Sequence, residues 1–98
     1  MDHSAIKSCL EERGYCVIPG ILTSEDIDYC KTAHSEWVAG IPNHDKFYRT
    51  FDPHGIYKHH RAGHTRYAWH IRTRPRVQEV FKGLWKTEEL VVSFDGSC

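Results

Sequence analysis

At 98 residues and zero formal net charge, the chain has room for one small domain or a fragment of one, with a core that is adequate rather than generous. Hydrophobic residues at 40% and charged residues at 27% exclude compositional disorder, and no apolar run approaches membrane-spanning length. The zero balance hides a strong polarity, since residues 1–45 carry three basic against eight acidic side chains, residues 46–82 nine against two, and residues 83–98 one against three. Two readings fit that polarity: an anionic partner for the basic middle, or internal neutralisation by the acidic first third. Cysteines at 9, 16, 30 and 98 form no CxxC pair and no metal-finger spacing, which points to a reducing compartment. The start lacks a basic region ahead of a long apolar stretch, so the expected location is the cytoplasm.

In chain order, Ser4 can cap a helix whose Ile6, Cys9 and Leu10 form a narrow apolar stripe, with Gly14 just past its end. Residues 15–18 read as a strand stopped by Pro19-Gly20. Thr23 followed by Asp26 is an acidic relative of the capping box, and Ile27, Cys30, Ala33, His34, Trp37 and Val38 then keep helical spacing up to Gly40. Residues 41–66 read mostly as loop, with GIYKHH at 55–60 as a short strand instead. The stretch at 68–96, AWHIRTRPRVQEVFKGLWKTEELVVSFDG, reads as strand, helix, strand. Pro75 suits a first helical turn, and Val77, Val80, Phe81 and Leu84 recur at helical spacing. LVVSF is β-prone and ends at the turn signal Asp95-Gly96. The predicted class is α+β.

A tryptophan and arginine run, a helix ending FKGLW, an acidic linker and LVVSFDG occur together here, behind a short helix, GYCVIPGILT and a second helix. In this the chain resembles the N-terminal half of phytanoyl-CoA dioxygenase-like proteins. The resemblance implies a non-haem Fe(II), 2-oxoglutarate-dependent oxygenase acting on a small-molecule substrate. It also implies that the N-terminal helices and first strands pack on a double-stranded β-helix core left incomplete in these 98 residues. The family's iron ligands, an HxD or HxE pair and a later histidine, are expected beyond Cys98 with a basic residue for 2-oxoglutarate. The segment by itself is therefore expected to be inactive, with no cofactor of its own.

His34-Ser35-Glu36 is an HxE string, but both residues fall in a helix, where positions two apart point about 200° apart and cannot easily close on one metal. His54, His59, His60 and His64 form a dense imidazole cluster without cysteine support. KHHRAGHTRYAWHIRTRPR interleaves basic and aromatic residues, as a nucleic-acid binder would, but belongs to no recognisable nucleic-acid-binding fold. Nucleic acid is thus not the expected partner. The alternative to the oxygenase segment is a non-enzymatic anion- or nucleic-acid-binding module built on this basic, His-rich middle. Trp69 and Trp85 suit packing positions. On the substrate side, the candidates are Ser93 and Asp95 at the end of the last strand, together with Trp69 and Arg72. LVVSF left as an unpaired strand edge predicts self-association.

Overall fold

The computed structural model describes residues 1–41 and 61–93. Among them the order is α1 (His3–Arg13), α2 (Ser24–Ala39), a 3-10 turn (Ala62–His64), α3 (Arg66–Arg72) and α4 (Pro75–Trp85). The regular structure among the described residues is all helical, with no strand, which corrects the α+β expectation and its first strands of a β-helix core.

Local chemistry accounts for most of the helix ends. Asp2, rather than Ser4, caps α1 by accepting from the Ala5 amide at 3.0 Å. Gly14 closes the helix in the left-handed region at φ 79, its amide donating to the Leu10 carbonyl at 2.8 Å, a conformation that costs a glycine no Cβ clash. At α2 the capping box is reciprocal: the Asp26 amide donates to Thr23 Oγ1 at 3.0 Å and the Thr23 amide to Asp26 Oδ2 at 3.1 Å. Two orphan donors are thereby satisfied. Pro75 occupies the first turn of α4, where its missing donor is no loss.

The segments read as strands differ from that reading for two reasons. Residues 68–72 lie within α3 instead of a strand. Tyr67 is buried and Ile71 half-buried on this helix, so a helical period of four presents both inward, and packing against α2 overrides their β-propensity. Residues 15–18 and 90–93 are also without a ladder. A β-prone run becomes a strand only when another backbone pairs with it, and no described segment does so. The alternative strand at 55–60 lies outside the described residues.

The heaviest packing joins α2 to α3, and α4 lies against both α1 and α3. Buried apolar side chains are few: Ile6, Ala33, Ile41, Ala62, Tyr67 and Val80. Ile41 and Ala62 form one nucleus with Trp37 and Val38 against it. Val80 is buried and Val77 and Leu84 half-buried on α4, but Phe81 from the same predicted stripe is 50% exposed. Trp85 is 73% exposed, against its expected packing role.

The α1–α4 contact depends on a glycine inside a helix. His3 Nε2 donates to the Glu79 carbonyl at 3.2 Å, and a Cβ on Gly83 would overlap the His3 ring. The missing side chain makes the notch into which the imidazole fits. Gly83→Ala should therefore realise its full helix-propensity gain, about 0.5–1 kcal/mol, only in a His3→Ala background. In the native chain the gain is offset by displacement of the ring. Urea unfolding of the four proteins measures this, and equal effects in both backgrounds would place the ring elsewhere.

Candidate functional site

The densest polar arrangement is the seam between α2, α3 and the start of α4, and it is centred on Asp26. This carboxylate already caps α2, and it meets two further groups brought by α3 and its C-terminal turn. His70 Nε2 lies 2.9 Å from Asp26 Oδ1, and Arg74 Nη1 lies 3.7 Å from the same oxygen. The pairing with His70, then the Thr23 amide, holds the Asp26 carboxyl below its ordinary value, against an opposing effect of burial. An ionised carboxylate only accepts, so His70 Nε2 carries the proton and donates. The imidazole stacks on Tyr29, with centroids 4.3 Å apart and planes 29° from parallel.

One turn further along α2, Cys30 Sγ donates to the Tyr67 carbonyl at 3.9 Å. Burial, then the negative charge of Asp26, pushes the Cys30 thiol up. A thiol held in this way is a poor nucleophile at neutral pH, so Asp26, His70 and Cys30 do not assemble into a cysteine-histidine catalytic unit. Their work is mechanical: an acceptor hub clamps α3 and α4 to the N-terminal turn of α2.

Beyond this hub comes an aromatic layer. The rings of His34 and Tyr67 meet edge to face at 5.0 Å, and Trp37 lies 6.0 Å from each. His34 Nε2 and the Tyr67 hydroxyl are both buried without a hydrogen-bond partner. A buried unpaired hydroxyl costs free energy that an apolar edge of the same shape does not. Tyr67→Phe should accordingly leave the fold intact and raise its stability by up to about 1 kcal/mol, read from chemical denaturation; a loss of more than that would reveal a partner for the hydroxyl.

Glu36, two residues from His34, is exposed and pairs with Arg66 at the start of α3. His34 and Glu36 thus serve different neighbours and do not converge on an ion. Among the described residues no three His, Cys, Asp or Glu side chains are grouped as metal ligands. His64 stands in the 3-10 turn, while His54, His59 and His60 lie outside the described residues.

Of the candidate substrate-side residues, Trp69 and Arg72 are brought together. Both belong to α3, where the Arg72 guanidinium sits 4.9 Å from the Trp69 ring centroid and donates from Nη1 to the Gly63 carbonyl at 2.7 Å. Trp69 is 40% exposed. Ser93 is exposed in the irregular segment after α4, on a different element, and Asp95 lies outside the described residues. Sequence reasoning gave Asp26 only its capping role and did not connect it with His70. The one available signal was the opposed charge of the acidic first third and the basic middle, and internal pairing is what the structure displays: Arg66 with Glu36, His70 and Arg74 with Asp26. Arg76 adds a bond to the Gly20 carbonyl at 2.8 Å.

The described residues therefore define a small helical assembly held by an ionic and aromatic seam, and no described helix is long and apolar enough to cross a membrane. No family model and no solved structure matches the chain. Among curated proteins it is similar to Ava biosynthesis cluster protein O of Aspergillus versicolor, at 46% identity over 35 residues. That segment is 36% of this chain and 11% of the relative.

Proposed function

We propose that the chain is the helical N-terminal segment of an Fe(II), 2-oxoglutarate-dependent oxygenase of the phytanoyl-CoA dioxygenase type, serving the biosynthesis of a small organic molecule and inactive by itself. The reading rests on the resemblance to that family of the run from GYCVIPGILT through FKGLW to LVVSFDG. The partial likeness to a biosynthesis cluster protein several times longer supports the biosynthetic part of the reading. Apolar side chains left in solvent at one end, Trp85, Val91 and Val92 at 73%, 97% and 54% exposure, suit a piece that packs against more protein.

The described side chains do not fit an iron site, because His34 and Glu36 diverge and no third ligand joins either. Iron and 2-oxoglutarate belong, on this reading, to other parts of a full-length parent. This segment supplies shape, with Trp69 and Arg72 as its contribution to a substrate-side wall. The module that binds anions or nucleic acid through the basic middle is the weaker reading, since Arg66, His70, Arg74, Arg76 and Lys82 are all engaged by acidic groups or carbonyls of the chain itself.

The proposal is tested by succinate release from 2-oxoglutarate in the presence of iron and ascorbate. The 98-residue chain should give none. Transcripts reading beyond Cys98 should encode an HxD or HxE pair and a later histidine, and the longer product should turn over. Turnover by the short chain that survives His34→Ala and Glu36→Ala would overturn the assignment.

A further inference from the structure

The first helix and the segment that follows it carry two cysteines that the oxygenase reading does not use. Cys9 lies in the second half of α1 and Cys16 beyond its C-terminus, with six residues between them. The left-handed Gly14 reverses the chain directly after α1, so that residues 15 and 16 return alongside the helix. Cys9 Sγ then donates to the Tyr15 carbonyl at 3.4 Å. Cys16 is the next residue, its thiol 4.0 Å from the Val17 carbonyl, and the neighbouring Cys9 thiol, then burial, pushes Cys16 up. Both cysteines are half-buried and free. Cys30 is occupied elsewhere, against Tyr67 across the α2–α3 seam.

We propose that Cys9 and Cys16 are a reversible disulfide pair, a redox-sensitive clasp that fastens α1 to the segment leading into α2. The oxidant is a small-molecule disulfide such as oxidised glutathione. One cysteine thiolate attacks a glutathione sulfur, breaking its S–S bond and releasing one glutathione thiolate. The second cysteine then attacks the mixed disulfide and releases the other. The two protein thiols lose two protons and two electrons, and one glutathione disulfide becomes two glutathione molecules. Cys16, held protonated at neutral pH, exchanges slowly without a catalyst.

The bridge would close a loop of only eight residues, so its chain-entropy gain is at the low end for disulfides. Its leverage comes from what the loop joins. The same segment accepts the Arg76 bond from α4 at Gly20, and α1 also touches α4 through His3 and Gly83. The His3 and Arg76 bonds already close a ring of α1, connecting segment and α4 through the backbone at Gly14, and oxidation stiffens that ring by cross-linking α1 to the segment. Reduction leaves the Gly14 turn as the one covalent link between them.

The experiment equilibrates the whole 98-residue chain in glutathione buffers of graded ratio, quenches with acid and digests with trypsin. Cleavage after Arg13 separates Cys9 from Cys16 in the reduced protein, so a bridge appears as fragments 8–13 and 14–31 remaining joined, lighter by two hydrogens than their reduced sum. Cys30 shares the second fragment, so the assignment is made in Cys30→Ser and, independently, by fragmentation of the native digest. The joined species should exceed singly glutathionylated protein by about tenfold at millimolar glutathione, as expected for two thiols already held together. It should vanish in Cys9→Ser and in Cys16→Ser, and oxidation should raise the thermal midpoint only when both cysteines are present. Glutathione accumulating separately on Cys9 and Cys16, or bridges to Cys98 formed as often as the Cys9–Cys16 bridge, would overturn the proposal.

Discussion

Asp26→Ala should destabilise this chain more than any other single substitution of a charged residue, because one carboxylate caps α2 and anchors both α3 and α4. The variant loses the reciprocal bond with the Thr23 amide, leaves His70 Nε2 without its carboxylate acceptor, and leaves Arg74 held only by the His70 carbonyl and the Thr73 hydroxyl. Glu36→Ala is the control, since its partner Arg66 is 67% exposed and the pair is largely screened by solvent. Circular dichroism on heating should show a much lower midpoint for Asp26→Ala than for Glu36→Ala. His70→Phe separates the two functions of the imidazole, keeping an aromatic ring to stack on Tyr29 while removing the bond to Asp26. Similar midpoints for Asp26→Ala and Glu36→Ala would mean that the hub is not where the fold is fastened.

The same residue fixes a pH dependence. The folded-state pKa of Asp26 is lowered from an ordinary 3.8, chiefly by His70. A depressed carboxylate contributes stability that is present above its unfolded value and lost as the pH falls through the folded one. The contribution should therefore be intact above about pH 4 and disappear in more acid solution. In Asp26→Asn that acid limb should shrink relative to the native chain.

The second large effect is on association. The segment after α4 forms no strand among the described residues, which removes the strand edge as the stated cause of self-association, but the apolar side chains remain. Val91 is almost wholly exposed, and Val92, Trp85 and Phe81 are at least half exposed. With an uncharged backbone run at 90–93 they make a surface that a second copy can cover. Sedimentation should show concentration-dependent dimers or larger species for the native chain. Val91→Lys together with Trp85→Glu should restore a monomer by placing charge where apolar contact would form. A native chain that stays monomeric at high concentration refutes this.

The amino-acid sequence by itself determined three helices, and it did so through interactions that close within a few residues. Thr23 and Asp26 start α2, Gly14 ends α1, Pro75 opens α4, and each of these choices is settled by backbone groups no more than four positions away. The β-prone runs were legible as composition but not as structure. Residues 15–18, 68–72 and 90–93 have the side chains of strands, yet a strand needs a second backbone whose position lies elsewhere in the chain. For 68–72 the contact with α2 decided in favour of a helix, and for the other two no described partner exists.

The seam was still less accessible, for the same reason carried further. Asp26 and His70 are 44 positions apart, and nothing local marks either as the other's partner. Charge segregation along the chain showed that acidic and basic regions had something to neutralise. Which carboxylate met which imidazole, and that Tyr29 would lie beneath it, followed only from the packing of α3 on α2. Trp69 and Arg72 were drawn together because three positions along a helix place them on one side, a proximity that the strand reading of the same residues could not supply.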